Sequence, residues 1–338
     1  MQVSDDIEVL DKMLADHRAS EDIYQWTNYW ARKCGYAVDY LKTNGLTDFR
    51  RIRAQKDTPA AAFASFGAVD LLPSDAMPDD LMAAVAKHSA GSPVRDIYSL
   101  PASRVGNPEG FEHNGTFLTL SWINFYLRYA YVRRFMDLSS KVIVEIGSGS
   151  AKQAHLLKLA HSDATILIFD IPPQLYVANQ YLKAVLNQNE LVDFQATRAI
   201  RSYDDIEPGK VHVFGNWEVG LLRDIEFDLL WNAASFQEME PHVVRHYLAA
   251  VQGAKSVYLM QAMRGQRVAK APGKHGVLKA TTKSTYRSAL PSHTLVSESV
   301  AHLAVRPRKW PYTETFWTKT GTAPPLSLWR RLFKRSAN

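Results

Sequence analysis

The sequence has one cysteine, no long apolar run and no basic amino-terminal segment. A lone Cys34 excludes an internal disulfide framework and any metal site built from several cysteines. No apolar stretch approaches the roughly 18 residues that would span a bilayer. The chain begins Met1-Gln-Val-Ser-Asp-Asp, which is acidic where a signal peptide is basic, and no apolar segment follows it. We therefore expect a cytoplasmic protein.

Charge is distributed unevenly along the 338 residues, although the formal net charge is only +6. Seven Lys or Arg residues and no acid occur between Arg264 and Arg287. The end of the chain, from Leu326 to Arg335, alternates bulky apolar with cationic residues, as in helices that lie on anionic membrane surfaces. The alternatives are that the segment from Arg264 to Arg287 is a solvated loop and that the end of the chain is a helix packed on the protein body. These two basic segments indicate an anionic partner, such as a phosphate-bearing substrate, a membrane surface or nucleic acid.

The order of sequence patterns predicts three regions. Residues 1–137 are expected to be mostly helical and to contain a long loop, about 89–116, that is rich in proline and glycine. A loop of that length is uncommon unless it is functional or disordered, and it would serve either as a lid over a site or as a linker. Residues 138–322 are expected to form the catalytic domain, and residues 323–338 a basic amphipathic tail.

Strand and helix patterns alternate after residue 141, which predicts an α/β fold with a Rossmann-like sheet covered by helices on both faces. Two further strands are expected at an edge of the sheet, near Thr294–Val300 and Thr313–Thr318. The main strands are predicted at Val142–Ile146, Thr165–Phe169, Val211–Phe214, Phe227–Trp231 and Ser256–Met260, and the main helices at Lys152–Ala160, Leu175–Leu186 and His242–Val251.

The first of these strands ends in Glu145-Ile-Gly-Ser-Gly149, a turn of the type that cradles a nucleotide cofactor. Gly147, Ser148 and Gly149 are expected to contact that cofactor at the carboxyl end of the sheet. A dinucleotide site would have a third glycine where this chain has Lys152. A carboxylate at Glu145 would also repel a pyrophosphate, whereas it would attract the sulfonium and ammonium groups of S-adenosylmethionine. The sequence therefore favours S-adenosylmethionine over NAD.

The second strand is followed by Asp170 and Ile171, 21 residues after Gly149. A carboxylate at this place can accept hydrogen bonds from both ribose hydroxyls of a bound nucleoside. NAD and S-adenosylmethionine share that ribose, so Asp170 predicts a nucleoside site without distinguishing between the two cofactors.

The strand Phe227–Trp231 runs into a polar turn that supplies the candidate catalytic groups. Asn232 is expected to contact the cofactor. Methyl transfer to a hydroxyl requires a base, because a neutral alcohol is a poor nucleophile. Glu238 is the first candidate and His242, whose ordinary pKa is more suitable, is the second. The alternative is that Glu238 only caps the next helix and His242 only lies on its surface.

Three segments resemble sugar O-methyltransferases of the class I, S-adenosylmethionine-dependent type: Val144-Glu-Ile-Gly-Ser-Gly149, Phe169-Asp-Ile-Pro172 and Asn232-Ala-Ala-Ser-Phe-Gln-Glu-Met239. Upstream, Tyr40–Arg50, Val105-Gly-Asn-Pro-Glu-Gly110 and Leu127-Arg-Tyr129 are similar to the same family. The resemblance covers roughly residues 40–260. It implies O-methylation of a sugar in surface-polysaccharide or glycosylated-metabolite biosynthesis. The chain departs from the family pattern at Ser150, Ala151 and Lys152, where an aromatic residue or a further glycine is common.

Contacts to the acceptor are expected from Asn107 and Glu109 in the long loop and from Lys270 and Lys274 in the basic segment. The acceptor would be a sugar or glycan, free, nucleotide-linked or lipid-linked. No cluster has the spacing of a metal site. Mg²⁺ stays open because some sugar methyltransferases use it and because Asp204 and Asp205 form the one acid pair near the predicted crevice.

Two other functions remain open at this point. An RNA or DNA methyltransferase would account for the basic excess, but the strand end lacks the Asn/Asp-Pro-Pro-Tyr segment common in enzymes that methylate nucleobases, so no nucleic-acid partner is expected. A binding protein that kept the fold and lost the chemistry is the third reading, because a fold alone does not specify function.

Overall fold

The computed structural model describes residues 3–55, 58–302 and 311–321, and its amino-terminal part is mainly helical. A hairpin of β1 (Phe111–His113) and β2 (Thr116–Leu118) interrupts the long loop. A helix begins directly after this hairpin, at Leu120, with the Thr119 side chain accepting from the amide of Trp122. The helices are α1 (Ile7–Ala19), α2 (Asn28–Asn44), α3 (Pro59–Ala64), α4 (Pro78–Ser89) and α5 (Leu120–Arg133).

Strands and helices alternate from residue 142 onward, as predicted. Every strand expected from the sequence forms, with ends that differ by two residues or fewer. Three short elements were not predicted: the strand Leu191–Val192 and the helices Phe194–Thr197 and Lys283–Ala289. The elements are β3 (Val142–Ile146), α6 (Lys152–Ala160), β4 (Thr165–Asp170), α7 (Pro172–Val185), β5 (Leu191–Val192), α8 (Phe194–Thr197), β6 (Val211–Gly215), β7 (Phe227–Ala233), α9 (Pro241–Ala250), β8 (Ala254–Gln261), α10 (Lys283–Ala289), β9 (His293–Val300) and β10 (Thr313–Lys319).

The strands form one sheet in the order β5-β6-β4-β3-β7-β8-β10-β9. All neighbours from β5 to β8 are parallel, whereas β10 lies antiparallel between β8 and β9. Apart from the two-residue β5, the parallel strands follow the doubly wound order 3-2-1-4-5, in which β3 is flanked by β4 and β7. This order and pairing are those of the expected Rossmann-like sheet, and the predicted fold class is confirmed.

Successive side chains of a strand point to opposite sides of the sheet, and an apolar cluster covers each of these two faces. On one face, Ile143 packs in a cluster with residues of α5, α6 and α7. On the other face, Val144 packs in a separate cluster that includes Val243 and Tyr247 of α9. The parallel strands therefore appear in the sequence as nearly continuous apolar runs.

The amino-terminal helices do not form a separate core. Leu10 of α1 and Leu41 of α2 belong to the same apolar cluster as Ile143, and the Tyr176 hydroxyl of α7 accepts a hydrogen bond from the amide of Asp6 at 2.9 Å. The described residues before position 138 therefore pack directly on the sheet domain. The expected domain boundary stays a prediction. The expected tail, 323–338, lies outside the described residues. In the ranges that the structure covers, no helix has the length and apolarity to cross a membrane.

Candidate functional site

A cavity of about 310 Å³ opens at the carboxyl ends of β3, β4 and β7. Its floor comes from the loops after these strands, and its walls come from the amino-terminal region. Doubly wound sheets bind ligands at this edge, beside the strand where the order reverses. The cavity lies where the sequence predicted the cofactor, with Glu145, Gly147, Ser148, Gly149 and Asp170 among its lining residues.

The turn after β3 requires glycine for two reasons. Gly147 and Gly149 have φ angles of 75° and 59°, which side chains disfavour. A Cβ on Gly147 would lie 2.1 Å from the Ser235 hydroxyl oxygen. The turn after β3 therefore packs directly against the turn after β7, and this close contact fixes the two loops that border the cavity.

The departure from the family pattern at residues 150–152 has a structural counterpart. Ala151 has a left-handed φ of 55° just before α6. The Lys152 side chain is fully buried and donates from Nζ to Asp70 Oδ2 at 2.8 Å, to the Ser121 hydroxyl at 3.1 Å and to the carbonyl of Ala68 at 3.2 Å. Lys152 thus joins the start of α6 to the amino-terminal region and does not line the cavity.

Glu145 lies in β3 with its side chain at the base of the cavity. The residue is only 4% exposed, and its Oε2 is buried without a hydrogen-bond partner among the described residues. Burial raises the pKa of Glu145 to about 8, the Arg128 guanidinium lowers it, and Asp170 raises it further. A cation placed beside this buried carboxyl would favour its ionised form and would be attracted to it.

Asp170 ends β4 and faces the same cavity. Its Oδ2 accepts from the amide of Gly149 at 2.7 Å, and its Oδ1 accepts from the amide of Ile171 at 2.8 Å. Burial raises the pKa of Asp170 to about 7, and the two amides work against that rise. Each oxygen has a second lone pair with which it can accept from a ligand hydroxyl. The carboxylate is thus held in one orientation by the backbone that surrounds it.

Aromatic rings from the amino-terminal region form the roof of the cavity. Trp30 and Phe66 stack with ring centroids 4.7 Å apart, and Trp26 stacks on His17 at 5.4 Å. The backbone carbonyl of Tyr24 accepts from the Asn216 amide at 2.8 Å, which ties this roof to the end of β6. A roof of flat rings held by the sheet suits a planar group such as an adenine base.

Several polar atoms in the wall are buried without hydrogen-bond partners among the described residues. Buried polar groups are nearly always satisfied in folded proteins, so a group of exceptions in one place indicates a ligand site. Donors and acceptors are both present, as a zwitterionic nucleoside would require. These atoms are Trp26 Nε1, Arg128 Nε, Glu145 Oε2, Gln174 Oε1 and Asn216 Oδ1.

The three polar residues expected after β7 occupy different environments. Glu238, in a short 3₁₀ turn, lines the cavity. His242 is exposed on the first turn of α9 and does not line it. Asn232 is fully buried behind the cavity, where its amide donates to the carbonyl of Ile146 at 2.6 Å and its oxygen accepts from the amide of Phe236 at 3.2 Å. Asn232 therefore supports the loop around the site and does not line the cavity itself.

The residues expected to contact the acceptor are dispersed. Asn107 donates to Asp48 at 3.0 Å, and Glu109 pairs with Arg53 at 2.7 Å. The loop at residues 89–116 was expected to serve either as a lid or as a linker. None of its residues lines the cavity, which the segments 24–30, 65–67 and 121–128 cover. In the basic segment, Lys270 is exposed, and Lys274 lines a neighbouring cleft.

Metal ligands are not grouped in the described part of the chain. No set of three or more His, Cys, Asp or Glu side chains there is placed to hold a metal ion. The pair Asp204 and Asp205 lies in a 3₁₀ turn, where Asp205 accepts from the amides of Arg201 and Ser202. Neither aspartate lines the cavity.

Some residues of the cavity were not identified from the sequence: Arg128, Trp26, Gln174 and Asn216. Among the described residues, Arg128 is the one Lys or Arg that lines the cavity. A charged residue within the aromatic, largely buried helix α5 is a signal that could have identified it. Trp26, Gln174 and Asn216 carried no such signal, because each comes from a different segment that reaches the cavity only after folding.

Comparisons with known proteins find structures that this fold resembles, but they do not assign the chain to a family. No family model and no curated protein matches the sequence. A magnesium protoporphyrin IX methyltransferase from Synechocystis PCC 6803 is 10% identical over 59% of this chain and 84% of its own, with a TM-score of 0.39. An S-adenosylmethionine-dependent methyltransferase from Aquifex aeolicus is 12% identical over 59% of this chain and 93% of its own, also with a TM-score of 0.39.

A mitomycin 7-O-methyltransferase is 10% identical over 58% of each chain, with a TM-score of 0.36. This chain therefore spans less than two thirds of that protein's length. Values this low do not assign the chain to any of these enzymes, and the fold assignment above rests on strand order and pairing alone.

Proposed function

We propose that the chain is an S-adenosylmethionine-dependent O-methyltransferase that methylates a sugar hydroxyl. The buried Glu145 carboxyl is the observation that carries the proposal. It faces the cavity with an oxygen that has no hydrogen-bond partner in the described part of the chain. The charged residues that line the cavity there are three acids and one arginine: Glu145, Asp170, Glu238 and Arg128. Such a site favours a cationic ligand over a pyrophosphate.

The lining residues fit the parts of S-adenosylmethionine one by one. Asp170 would accept from the ribose hydroxyls, and Glu145 would attract the ammonium and sulfonium groups. Arg128 would pair with the carboxylate of the methionine part. Trp26 and Asn216 would meet the adenine. When bound, the cofactor supplies an electrophilic methyl carbon on its sulfonium.

Glu238 is the base in this proposal. It lines the cavity from the turn after β7, where an incoming hydroxyl would lie between this carboxylate and the cofactor. Accepting the hydroxyl proton as the new bond forms makes the alcohol a competent nucleophile. The aromatic roof would exclude water, which would otherwise compete as a methyl acceptor. His242 has no role in this arrangement because it lies outside the cavity.

The sugar acceptor is supported by the sequence resemblance at the turn after β7 and by the absence there of the segment common in nucleobase methyltransferases. Membrane contact through residues 323–338 stays a prediction, to be tested by co-sedimentation with anionic liposomes with and without that tail.

Isothermal titration calorimetry with S-adenosylmethionine, S-adenosylhomocysteine and NAD tests the cofactor. We expect the first two to bind and NAD not to bind. Glu145→Gln should weaken S-adenosylmethionine about tenfold to a hundredfold, the range for a hydrogen bond to a charged group. Glu218→Gln is the matched control, since burial raises the pKa of Glu218 also but that residue does not line the cavity. Binding of NAD in place of S-adenosylmethionine would overturn the proposal.

The acceptor class is tested by transfer of a labelled methyl group from S-adenosylmethionine to panels of free sugars, nucleotide sugars, lipid-linked sugars and RNA. Label in a sugar-containing product supports the proposal. Label confined to RNA would overturn the sugar assignment while leaving the cofactor assignment intact.

A further inference from the structure

A second cleft, of about 440 Å³, lies between α2 and residues 267–275. Four basic side chains line it: Arg32, Lys33, Arg267 and Lys274. No carboxylate belongs to its lining in the described residues. The tyrosine rings of Tyr29 and Tyr36 form part of its wall. This composition is opposite in sign to that of the cofactor cavity.

The cations of the cleft come from two distant segments that one side chain holds together. Asn28, the first residue of α2, accepts from the amide of Gly273 at 2.7 Å and donates to the carbonyls of Lys274 at 3.0 Å and Gly276 at 2.7 Å. The rings of Tyr29 and His275 lie 5.5 Å apart. The basic segment is therefore fixed against α2 in the described structure.

Three of the four side chains, Arg32, Arg267 and Lys274, are exposed, whereas Lys33 is half-buried. Lys33 Nζ lies 3.9 Å from the centre of the Tyr29 ring and 4.7 Å from that of Trp30, contacts that favour a cation. Even so, burial lowers the pKa of Lys33. A phosphate group would satisfy several of these cations at once, and Arg and Lys side chains bind phosphate well.

The cleft adjoins the cofactor cavity. Ser65 lines both, and Trp30 lies between them, with one part in the cavity wall and its ring under Lys33. Lys33 also interacts electrostatically with Glu238, the candidate base. A ligand held in the cleft by an anionic group could thus extend a hydroxyl toward Glu238.

We propose that this cleft binds the diphosphate group of the acceptor. The acceptor is then a sugar that carries a diphosphate. The inference rests on the proposed methyltransferase function and specifies its substrate class. A nucleoside diphosphate and a lipid diphosphate present the same group to Arg32, Lys33, Arg267 and Lys274. The opposite charge of the cavity and the cleft directs the cationic cofactor to one and the anionic acceptor to the other.

The test is calorimetric titration of the full-length protein with inorganic pyrophosphate, with S-adenosylmethionine titrated separately. Lys274→Glu should weaken pyrophosphate about tenfold or more, because it places a negative charge in the cleft. Lys270→Glu is the matched control: it makes the same charge change four residues away in the same segment, on an exposed side chain that does not line the cleft. It should change pyrophosphate affinity less than about twofold. Both variants should bind S-adenosylmethionine as the wild type does.

Uridine diphosphate and farnesyl diphosphate then distinguish the sources of the diphosphate. Tighter binding of the first than of pyrophosphate indicates a nucleotide-linked acceptor, and tighter binding of the second indicates a lipid-linked one. Absence of pyrophosphate binding, or an equal loss in both charge reversals, would overturn the inference. So would RNA that binds more tightly than the diphosphates and loses affinity steeply with salt. Pyrophosphate binding without S-adenosylmethionine binding would contradict the proposed function alone.

Discussion

Lys152 Nζ lies 2.8 Å from Asp70 Oδ2, and neither side chain has any exposed surface. Arg50 Nε donates to the same oxygen at 2.8 Å and is equally buried. These contacts connect the helix that follows the cofactor turn to two segments of the amino-terminal region. The buried ion cluster thus fixes the position of the amino-terminal region, which forms the roof of the cavity, relative to the loops that form its floor.

Asp70→Asn should destabilise the protein strongly, because it leaves Lys152 and Arg50 as two uncompensated buried cations. Breaking a buried ion pair from one side typically costs about 3–5 kcal/mol of unfolding free energy. Asp16→Asn is the control, since it breaks the more exposed pair with Arg198 and should cost about 1 kcal/mol or less. Urea unfolding measures both.

The double variant Asp70→Asn with Lys152→Met separates charge from packing. Removing one of the two stranded cations should recover part of the lost stability. If the double variant is no more stable than Asp70→Asn alone, the cost comes from lost packing and the electrostatic account is incorrect.

Two buried carboxyls at the cavity predict how stability changes with pH. Burial raises the pKa of Glu145 from 4.5 to about 8 and that of Asp170 from 3.8 to about 7. The folded ligand-free protein therefore binds protons more tightly than the unfolded chain. The contribution of these two groups is fully present below about pH 4 and is lost as pH rises through about 7 to 8. Glu145→Gln should flatten the decline in unfolding free energy between about pH 5 and pH 8, and an unchanged slope would contradict the assignment.

S-adenosylmethionine affinity should show the opposite trend. A cation stabilises the ionised form of Glu145, so binding below about pH 8 has to release a proton. Calorimetry in buffers of different ionisation enthalpy would detect that proton, and Glu145→Gln should reduce its number.

Gly147→Ala should impair both folding and cofactor binding. Its φ of 75° and the 2.1 Å approach of a Cβ to the Ser235 hydroxyl oxygen require the turns after β3 and β7 to separate. The expected loss of unfolding free energy is about 1–3 kcal/mol, with weaker S-adenosylmethionine binding. Gly220→Ala is the control, because a Cβ there meets no atom within 4 Å. Similar losses in both variants would show that the loop contact is unimportant.

The sheet was predictable because every strand except the two-residue β5 has a recognisable local sequence pattern. Val142–Ile146 and Thr165–Phe169 are apolar runs that end in turn residues or a carboxylate, and both formed as expected. Glu145 and Asp170 reached the cavity because the carboxyl ends of adjacent parallel strands share one edge. Local pattern and chain topology sufficed for this half of the site.

The other half depends on contacts between distant segments, which no local pattern encodes. The function of Lys152 becomes apparent only when Asp70, 82 residues earlier, is known to lie beside it. Asn28 likewise holds a segment 245 residues away. The roof could not be assigned to residues 24–30 from the sequence, since their aromatic spacing is equally consistent with an ordinary helical core.

Glu238→Gln should reduce methyl transfer to a sugar acceptor about a hundredfold or more, the usual contribution of a general base. Glutamine keeps the shape of the side chain and its capacity to accept a hydrogen bond but cannot take up the proton. His242→Ala should alter the rate less than about twofold, because a surface substitution away from the site has little effect. Single-turnover rates with saturating S-adenosylmethionine isolate the chemical step from any change in cofactor affinity. The reverse result, with His242→Ala inactive and Glu238→Gln active, would mean that α9 moves to bring its first turn into the cavity and that Glu238 is not the base.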